Sequence, residues 1–385
     1  MLRRFAQWRV EQQELPAACP VERRLLLIRL DDIGDYVLFR NSLRTYRTAP
    51  KWQDHSITLL GNSSWKALFE MLDGDAVDDV IWVDKNRYLQ DAAHRRDIWM
   101  RLRRGGFEAV VTPSRTRPIL LDDLCMLAAA PIHAIGSANN YIHASWNVMS
   151  DAMYQTLYRP RDVSVHELDF NSEFAAWACD VPGTERVPRL VGTSKPNCTD
   201  RYILCFIGAT IRSKRWPAAH WVEFIRLFRR FYSWQIILAG AGDAELEMAR
   251  EIRAHTDARS IVNDVTLPQL LGWVEHARAV VSNDTMAAHL SALSRRPTVI
   301  VANGVNYTRF TDYTKTGLGC VATVYPDVFI QQRPRLGTKT YDYIHAISAD
   351  IASIRPSSVF KTLESVLGIA ARTVPAAEAS PLKLP

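Results

Sequence analysis

The stretch LLLIRLDDIGDYVL, residues 25–38, decides the fold. Its first six residues form an apolar run of the length of a strand buried on both faces. A turn follows at residues 31–35, with Gly34 to allow a sharp bend, and a helical pattern runs from residue 36 to 47. The alternation then repeats. Strands are expected at 56–61, 80–84 and 109–113, with helices at 64–72 and 91–104 between them. Short buried strands alternating with helices predict a parallel sheet covered on both faces.

The pattern breaks after a helix near 170–179. Residues 182–200 are rich in Pro, Gly, Thr and charge and are placed as an interdomain connection. A second series begins at residue 201, with strands at 201–208, 235–240, 260–264, 279–283 and 298–302. Helices are expected at 221–232, entered through Pro217, at 243–255, at 267–276 capped by Thr266, after residue 284, and at 356–371. The organisation is therefore a basic lead-in (1–22), a first α/β domain (23–181), the connection, a second α/β domain (201–372) and a disordered tail (373–385). A length of 385 residues suits two domains. Two doubly wound domains are expected to bind a ligand in a cleft at the carboxyl ends of their strands.

Charge and composition narrow the classes. Lys and Arg total 47 against 41 acidic residues, a net charge of +6. That excess fits an anionic substrate or an anionic membrane surface, and is too diffuse to indicate nucleic acid. Nine lysines stand against 38 arginines, which codon bias explains, although arginine also suits phosphate. Apolar runs such as 124–132 fall well short of the ~20 residues that span a bilayer. The opening MLRRFAQWRV lacks the pattern of a secretory signal, so a cytoplasmic location is expected. Leu2, Phe5, Trp8 and Val10 on this basic background read first as a frayed terminus, and second as an amphipathic helix on a membrane surface. Six scattered cysteines without CxxC spacing read as reduced thiols.

Three segments follow strands and so fall where this fold places ligands. In the first, Asp35 opens a helix; such an Asp usually caps, and can also act as a general base. In the second, GATIRSKRWP (208–217), a glycine, small and hydroxyl residues and three cations precede a helix. These are groups that hold a diphosphate, or else a solvated basic loop. In the third, SNDTMAAHL (282–290), Asn283 or Asp284 is expected to cap a helix, and His289 lies one turn inside it. Gly240-Ala241-Gly242-Asp243, with Glu245, is weak as a dinucleotide fingerprint but reasonable as a turn bringing carboxylates near a ribose. The Asp122-Asp123 pair reads as a helix cap. HExxH, GxSxG, GxxxxGK[ST] and a strand-flanked DxD are all missing, so no metal site is expected.

Taken in order, LLLIRLDDIGDYVL, GATIRSKRWPAAHWVEF and AVVSNDTMAAHLSAL resemble the motifs of the ADP-heptose:lipopolysaccharide heptosyltransferases, glycosyltransferase family nine, over residues 25–367. The resemblance implies a GT-B fold, two Rossmann-like domains facing across a central cleft. It implies a metal-independent inverting transfer from a nucleotide-diphosphate sugar, ADP-heptose foremost, to a cell-envelope glycolipid such as the lipopolysaccharide core. No cofactor is implied. Asp35 takes the place of the general base and Lys214 that of the lysine meeting the donor diphosphate. Thr210, Arg212, Gly240, Asp243, Glu245, Asp284, Thr285, Met286 and His289 fall at donor positions. Lys66, Arg115 and Arg117 are candidates for the acceptor.

Two departures stand out. Met286 replaces the family glycine, and its side chain is expected to crowd the donor or change which donor fits. Asp31 and Asp32 replace small or hydroxyl residues, adding negative charge near Asp35. Two other functions share these features: a GT-B epimerase or hydrolase of a nucleotide sugar, and a catalytically idle binding protein. Arg3, Arg4 and Arg9 offer peripheral contact with an anionic inner-membrane surface.

Overall fold

The computed structural model describes all residues except 141–143, 163, 184–188, 193, 199, 334–347 and 374–385. Most of the expected tail and part of the expected connection therefore lie outside the described residues. The chain divides into two compact units, Met1–Val163 with Glu167–Arg186, and Ser164–His166 with Val187–Pro385.

The first unit holds β1 (Val21–Arg29), β2 (Ser56–Asn62), β3 (Asp79–Val83), β4 (Phe107–Thr112), β5 (His133–Ser137) and β6 (Thr156–Tyr158). They form one sheet in the order β3-β2-β1-β4-β5-β6. Every pairing is parallel, with Leu25 beside Ile57 on one side and Ala109 on the other. Leu25 to Ile28 are fully buried because helices cover both faces of this central strand.

The second unit repeats the winding. Its strands are β7 (Tyr202–Phe206), β8 (Gln235–Ala239), β9 (Arg259–Ser260), β10 (Ala279–Asn283), β11 (Thr298–Val301) and β12 (Val321–Val324), in the order β12-β11-β10-β7-β8-β9. In each sheet the chain starts at a central strand, steps outward twice, then crosses back to the other side of its start. The direction of winding reverses between β1 and β4, and between β7 and β10. Loops leaving those neighbours part in opposite directions and open a crevice at the carboxyl ends.

Several local expectations are corrected. The helix expected at 36–47 is two helices, Ile33–Phe39 and Asn41–Thr48, so Asp35 lies inside the first turn instead of capping it. Gly34 is an ordinary helical residue; the bend comes earlier, where Asp32 is extended with φ −84° and ψ 176°. Asp122 and Asp123 belong to the short π-helical segment Ile119–Asp123, where they are buried and cap nothing.

The lead-in is also different from a frayed terminus. Residues Leu2–Gln13 form a helix whose Trp8 is 3% exposed. Its indole meets Tyr88 and Trp99 edge-on at 6.1 and 6.2 Å, and the Arg95 guanidinium lies 3.8 Å above it. Gln12 donates to the Leu124 carbonyl at 2.8 Å. The Phe5–Trp8 side thus belongs to the core, while Leu2 and Val10 stay exposed. Among the described residues no helix is long and apolar enough to cross a membrane. Trp8→Ala should lower unfolding free energy by about 3–5 kcal/mol in urea titration; an unchanged midpoint would mean that the helix is undocked in solution.

Candidate functional site

The crevice of the second sheet is built around Asn283, the last residue of β10. Its Nδ2 donates to the Ile207 carbonyl at 2.9 Å and to that of Gly208 at 3.1 Å. Its Oδ1 accepts from the Trp216 backbone N–H at 3.3 Å. One amide therefore ties β10 to both ends of the loop after β7. The Trp216 indole is fully buried and donates to the Ile354 carbonyl at 3.1 Å, which anchors the far end of that loop.

Between these anchors the loop makes a short turn, Arg212–Lys214. Lys214 Nζ lies 2.7 Å from Asp284 Oδ2, which also accepts from Asn306 Nδ2 at 3.0 Å. Both partners of the ion pair are buried, with 9% and 6% of their surface exposed. Thr210 and Arg212 are exposed on the same loop, and the half-buried Arg215 donates Nε to the Ala209 carbonyl at 2.6 Å. The structure thus brings Thr210, Arg212, Lys214, Asp284 and Thr285 to one strand-end region.

The cap is Thr285, not Asn283 or Asp284. Its hydroxyl accepts from the Ala287 N–H at 3.4 Å at the start of helix Met286–Leu293. Met286 packs against the cluster containing Leu270, Trp273 and Val274, so its side chain is engaged with the core. His289 is buried, its Nδ1 2.6 Å from the Tyr313 hydroxyl. Burial, and secondarily Asp284, hold that phenol well above its usual pKa, so it stays neutral.

Glu245 explains two glycines. A β-carbon at Gly208 or Gly240 would fall 1.9 Å from its carboxylate, which therefore lies against the ends of β7 and β8. Glu245 Oε2 accepts from the Ala241 N–H at 2.7 Å. Burial raises its pKa, against the pull of that N–H and of Arg215. Asp243, by contrast, is exposed at the first position of helix Asp243–Ala254.

In the first unit, the crevice between β1 and β4 is crossed by a residue the sequence reading passed over. Arg29 is completely buried at the end of β1 and donates Nη1 to the Pro113 carbonyl at 2.6 Å. Its other contacts include Asp31 at 2.8 Å, Asn171 Oδ1 at 3.2 Å, Glu167 at 3.7 Å and the Asp35 carbonyl at 3.4 Å. Asp35 itself is half-buried. The available signal was a charged residue within an otherwise apolar strand. Lys85, also passed over, pairs with Asp32. Burial works against its charge, yet Asp32, Asp31 and Asp122 keep its pKa above the usual lysine range.

Two acceptor candidates are corrected. Arg117 is fully buried, 3.3 Å from Asp123 and 2.8 Å from Asp151, with its guanidinium over the Tyr154 ring. Arg115 is 4% exposed, 3.4 Å from Glu167 and stacked over Phe170. Guanidiniums held between buried partners support the loop after β4 and are not presented to a solute. Lys66 alone of the three is exposed, 3.6 Å from Glu70 one turn away. Among the described residues no three His, Cys, Asp or Glu side chains form a group that could hold a metal ion.

The family model of glycosyltransferase family 9 (heptosyltransferase) matches residues 133–319. That span contains the whole β7–β10 crevice, whereas Asp35, Lys66, Arg115 and Arg117 precede it. Lipopolysaccharide heptosyltransferase 1 of Pseudomonas aeruginosa is 27% identical over 147 residues, 37% of this chain and 41% of that protein; the aligned stretch thus spans less than half of the relative's length. The E. coli heptosyltransferase WaaC with ADP superposes with a TM-score of 0.67 at 16% identity, over 89% of this chain and 99% of that one. For the E. coli ADP-heptose lps heptosyltransferase II, the TM-score is 0.63 at 17% identity, over 90% and 99%. Both likenesses concern the fold, which is α/β of the GT-B type.

Two predictions follow from the buried charges. Lys214→Met or Asp284→Leu alone should cost about 3–5 kcal/mol by leaving one buried charge unpaired, while the double substitution should recover most of it; additive losses in urea titrations would contradict the pairing. Asp122 is fully buried, and burial, with Asp31 and Asp123, raises its pKa well above the normal range. Its stabilising contribution is full below the unfolded pKa of about 4 and is lost as pH rises through the folded value. Asp122→Asn should therefore gain on the wild type with rising pH, by up to about 1.4 kcal/mol per unit in that window. Parallel urea curves at pH 5 and pH 8 check the sign.

Proposed function

We propose that this chain is a glycosyltransferase of family 9 that moves heptose or a related sugar from a nucleotide-diphosphate donor, ADP-heptose foremost, to a cell-envelope glycolipid such as the lipopolysaccharide core. The observation that supports this reading is the β7–β10 crevice, where Lys214 is held in place by Asp284 beside exposed Thr210 and Arg212. A diphosphate needs that combination of a fixed cation, hydroxyls and a helix start.

In this reading the acceptor hydroxyl attacks the anomeric carbon while Asp35 takes its proton. The bond from that carbon to the diphosphate oxygen breaks on the opposite face, so configuration inverts. Lys214 and the dipole of helix Met286–Leu293 stabilise the charge gathering on the departing nucleotide. In this reading Glu245, whose carboxylate lies against the ends of β7 and β8, meets the ribose. Lys66 is the candidate for an acidic group of the acceptor. The transfer is proposed to need no metal, in a cytoplasmic enzyme with peripheral membrane contact.

Asp35→Ala should lower transfer by about 10²–10⁴-fold, while the ADP affinity measured by calorimetry stays within about twofold, since Asp35 does no donor binding here. Normal turnover in the variant removes Asp35 from the mechanism. The same assay in excess chelator should retain its rate. Product analysis with donor alone separates transfer from epimerisation or hydrolysis. A thermal-shift panel of ADP, UDP and GDP sugars identifies the donor, and no response to any of them would favour an idle binding protein.

A further inference from the structure

A cavity of about 420 Å³ lies in the first unit. Its lining residues identify the end of the sheet at which it sits. Pro16 and Ala17 precede β1, Arg103 precedes β4, Pro131 precedes β5 and Gln155 precedes β6. These are the amino ends of parallel strands, whereas Asp35 and the loop after β4 follow carboxyl ends. The cavity is therefore separate from the proposed acceptor region.

Two guanidiniums enter its wall. Arg9 comes from the N-terminal helix and donates Nη1 to Gln12 Oε1 at 2.7 Å. Arg103 donates Nε to the Ala128 carbonyl at 2.7 Å and Nη1 to that of Pro16 at 2.9 Å. Each guanidinium has five N–H donors, so these bonds leave capacity on both. None of the described residues lining the cavity is acidic. The helix's own carboxylates are engaged elsewhere, Glu11 with Arg95 and Glu14 with Arg96. Burial, and then the charge of Arg9, lower the pKa of Arg103, so the two cations feel each other without a counter-charge between them. The remaining wall mixes Gln12, Gln13 and Gln155 with apolar side chains, among them Met126, Leu127 and Met153.

We propose that this cavity binds an amphipathic organic anion, its phosphate head on Arg9 and Arg103 and its aliphatic part against Met126, Leu127 and Met153. Paired arginines match a phosphate better than a point charge does, and the thioether and leucine side chains adapt to an alkyl chain. The source of that anion is either a bilayer phospholipid or a free amphiphile of the same chemistry.

The test uses the full chain and three probes: inorganic phosphate, hexyl phosphate, and vesicles of phosphatidylglycerol with phosphatidylcholine set against phosphatidylcholine alone. Hexyl phosphate should bind about tenfold tighter than inorganic phosphate, because the alkyl chain is buried. Arg9→Gln and Arg103→Gln should each weaken it about fivefold or more, and Arg101→Gln, an exposed neighbour paired with Asp97, should leave it unchanged. Arg9→Gln lies on a half-exposed position and leaves the carbonyl contacts of Arg103 intact, so it separates binding from folding; a thermal melt of each variant verifies this. Retention on phosphatidylglycerol vesicles that is lost in Arg9→Gln identifies a bilayer source. Binding of hexyl phosphate without vesicle retention identifies a free amphiphile. No binding of hexyl phosphate or vesicles by the wild type, or wild-type affinity for hexyl phosphate in both Gln variants, overturns the proposal. These readouts involve no glycosyl transfer, so the outcome is independent of the activity proposed above.

Discussion

The side-chain amide of Asn283 holds the second crevice to one shape. Strand-end carbonyls at Ile207 and Gly208 would otherwise lie buried where the sheet's winding parts and no neighbouring strand supplies a donor. Satisfying both from one amide, and taking the Trp216 N–H on its oxygen, fixes the start and end of a loop that has no regular structure of its own beyond one short turn. Lys214 is consequently delivered to a single place, and Asp284, the residue after Asn283, is already there to receive it. Asn306 closes the set from the next loop by holding the same carboxylate oxygen.

The first sheet meets the same topological problem with a charged residue. Arg29 spans from β1 to the Pro113 carbonyl beyond β4, and a buried guanidinium demands more than carbonyl partners. Asp31 and Glu167 meet that demand, and Glu167 in turn engages Arg115. The result is an ionic network in which Arg29, Arg115 and Glu167 are internal and Asp31 stands at its edge. One crevice therefore holds a buried lysine–carboxylate pair, and the other a buried arginine network, although the two sheets share one strand order.

Central strands were legible because burial on both faces requires an unbroken apolar run: β10 occupies 279–283 as its composition predicts. β6 was not legible, since three half-exposed residues carry too little pattern, and β5 contains His133, Gly136 and Ser137. The motif positions around Lys214 and Asp284 were readable, yet their roles were not. A short polar residue before a helix looks like a cap whether it caps or pairs, and only the fold shows that Thr285 does the former and Asp284 the latter. Arg117 misled for a related reason. Arginine is rarely buried, and the partners that bury it, Ser150 and Asp151, lie more than thirty positions away in sequence.

Met286 carries the same lesson into the chemistry. A side chain in place of glycine at this helix start would crowd a donor if it stood over the crevice, but Met286 packs against the core cluster that contains Leu270 and Trp273. What the helix start has lost lies instead in its donors. Thr285 takes the Ala287 N–H on its hydroxyl and the Ala288 N–H on its carbonyl at 3.1 Å. In the proposed transfer, charge stabilisation would therefore fall more heavily on Lys214 than the motif alone implies. An ammonium has three donors, and Asp284 occupies one direction. In the proposed transfer a diphosphate can thus be met without breaking the buried pair, and the carboxylate opposite the lysine is what holds its ammonium in place.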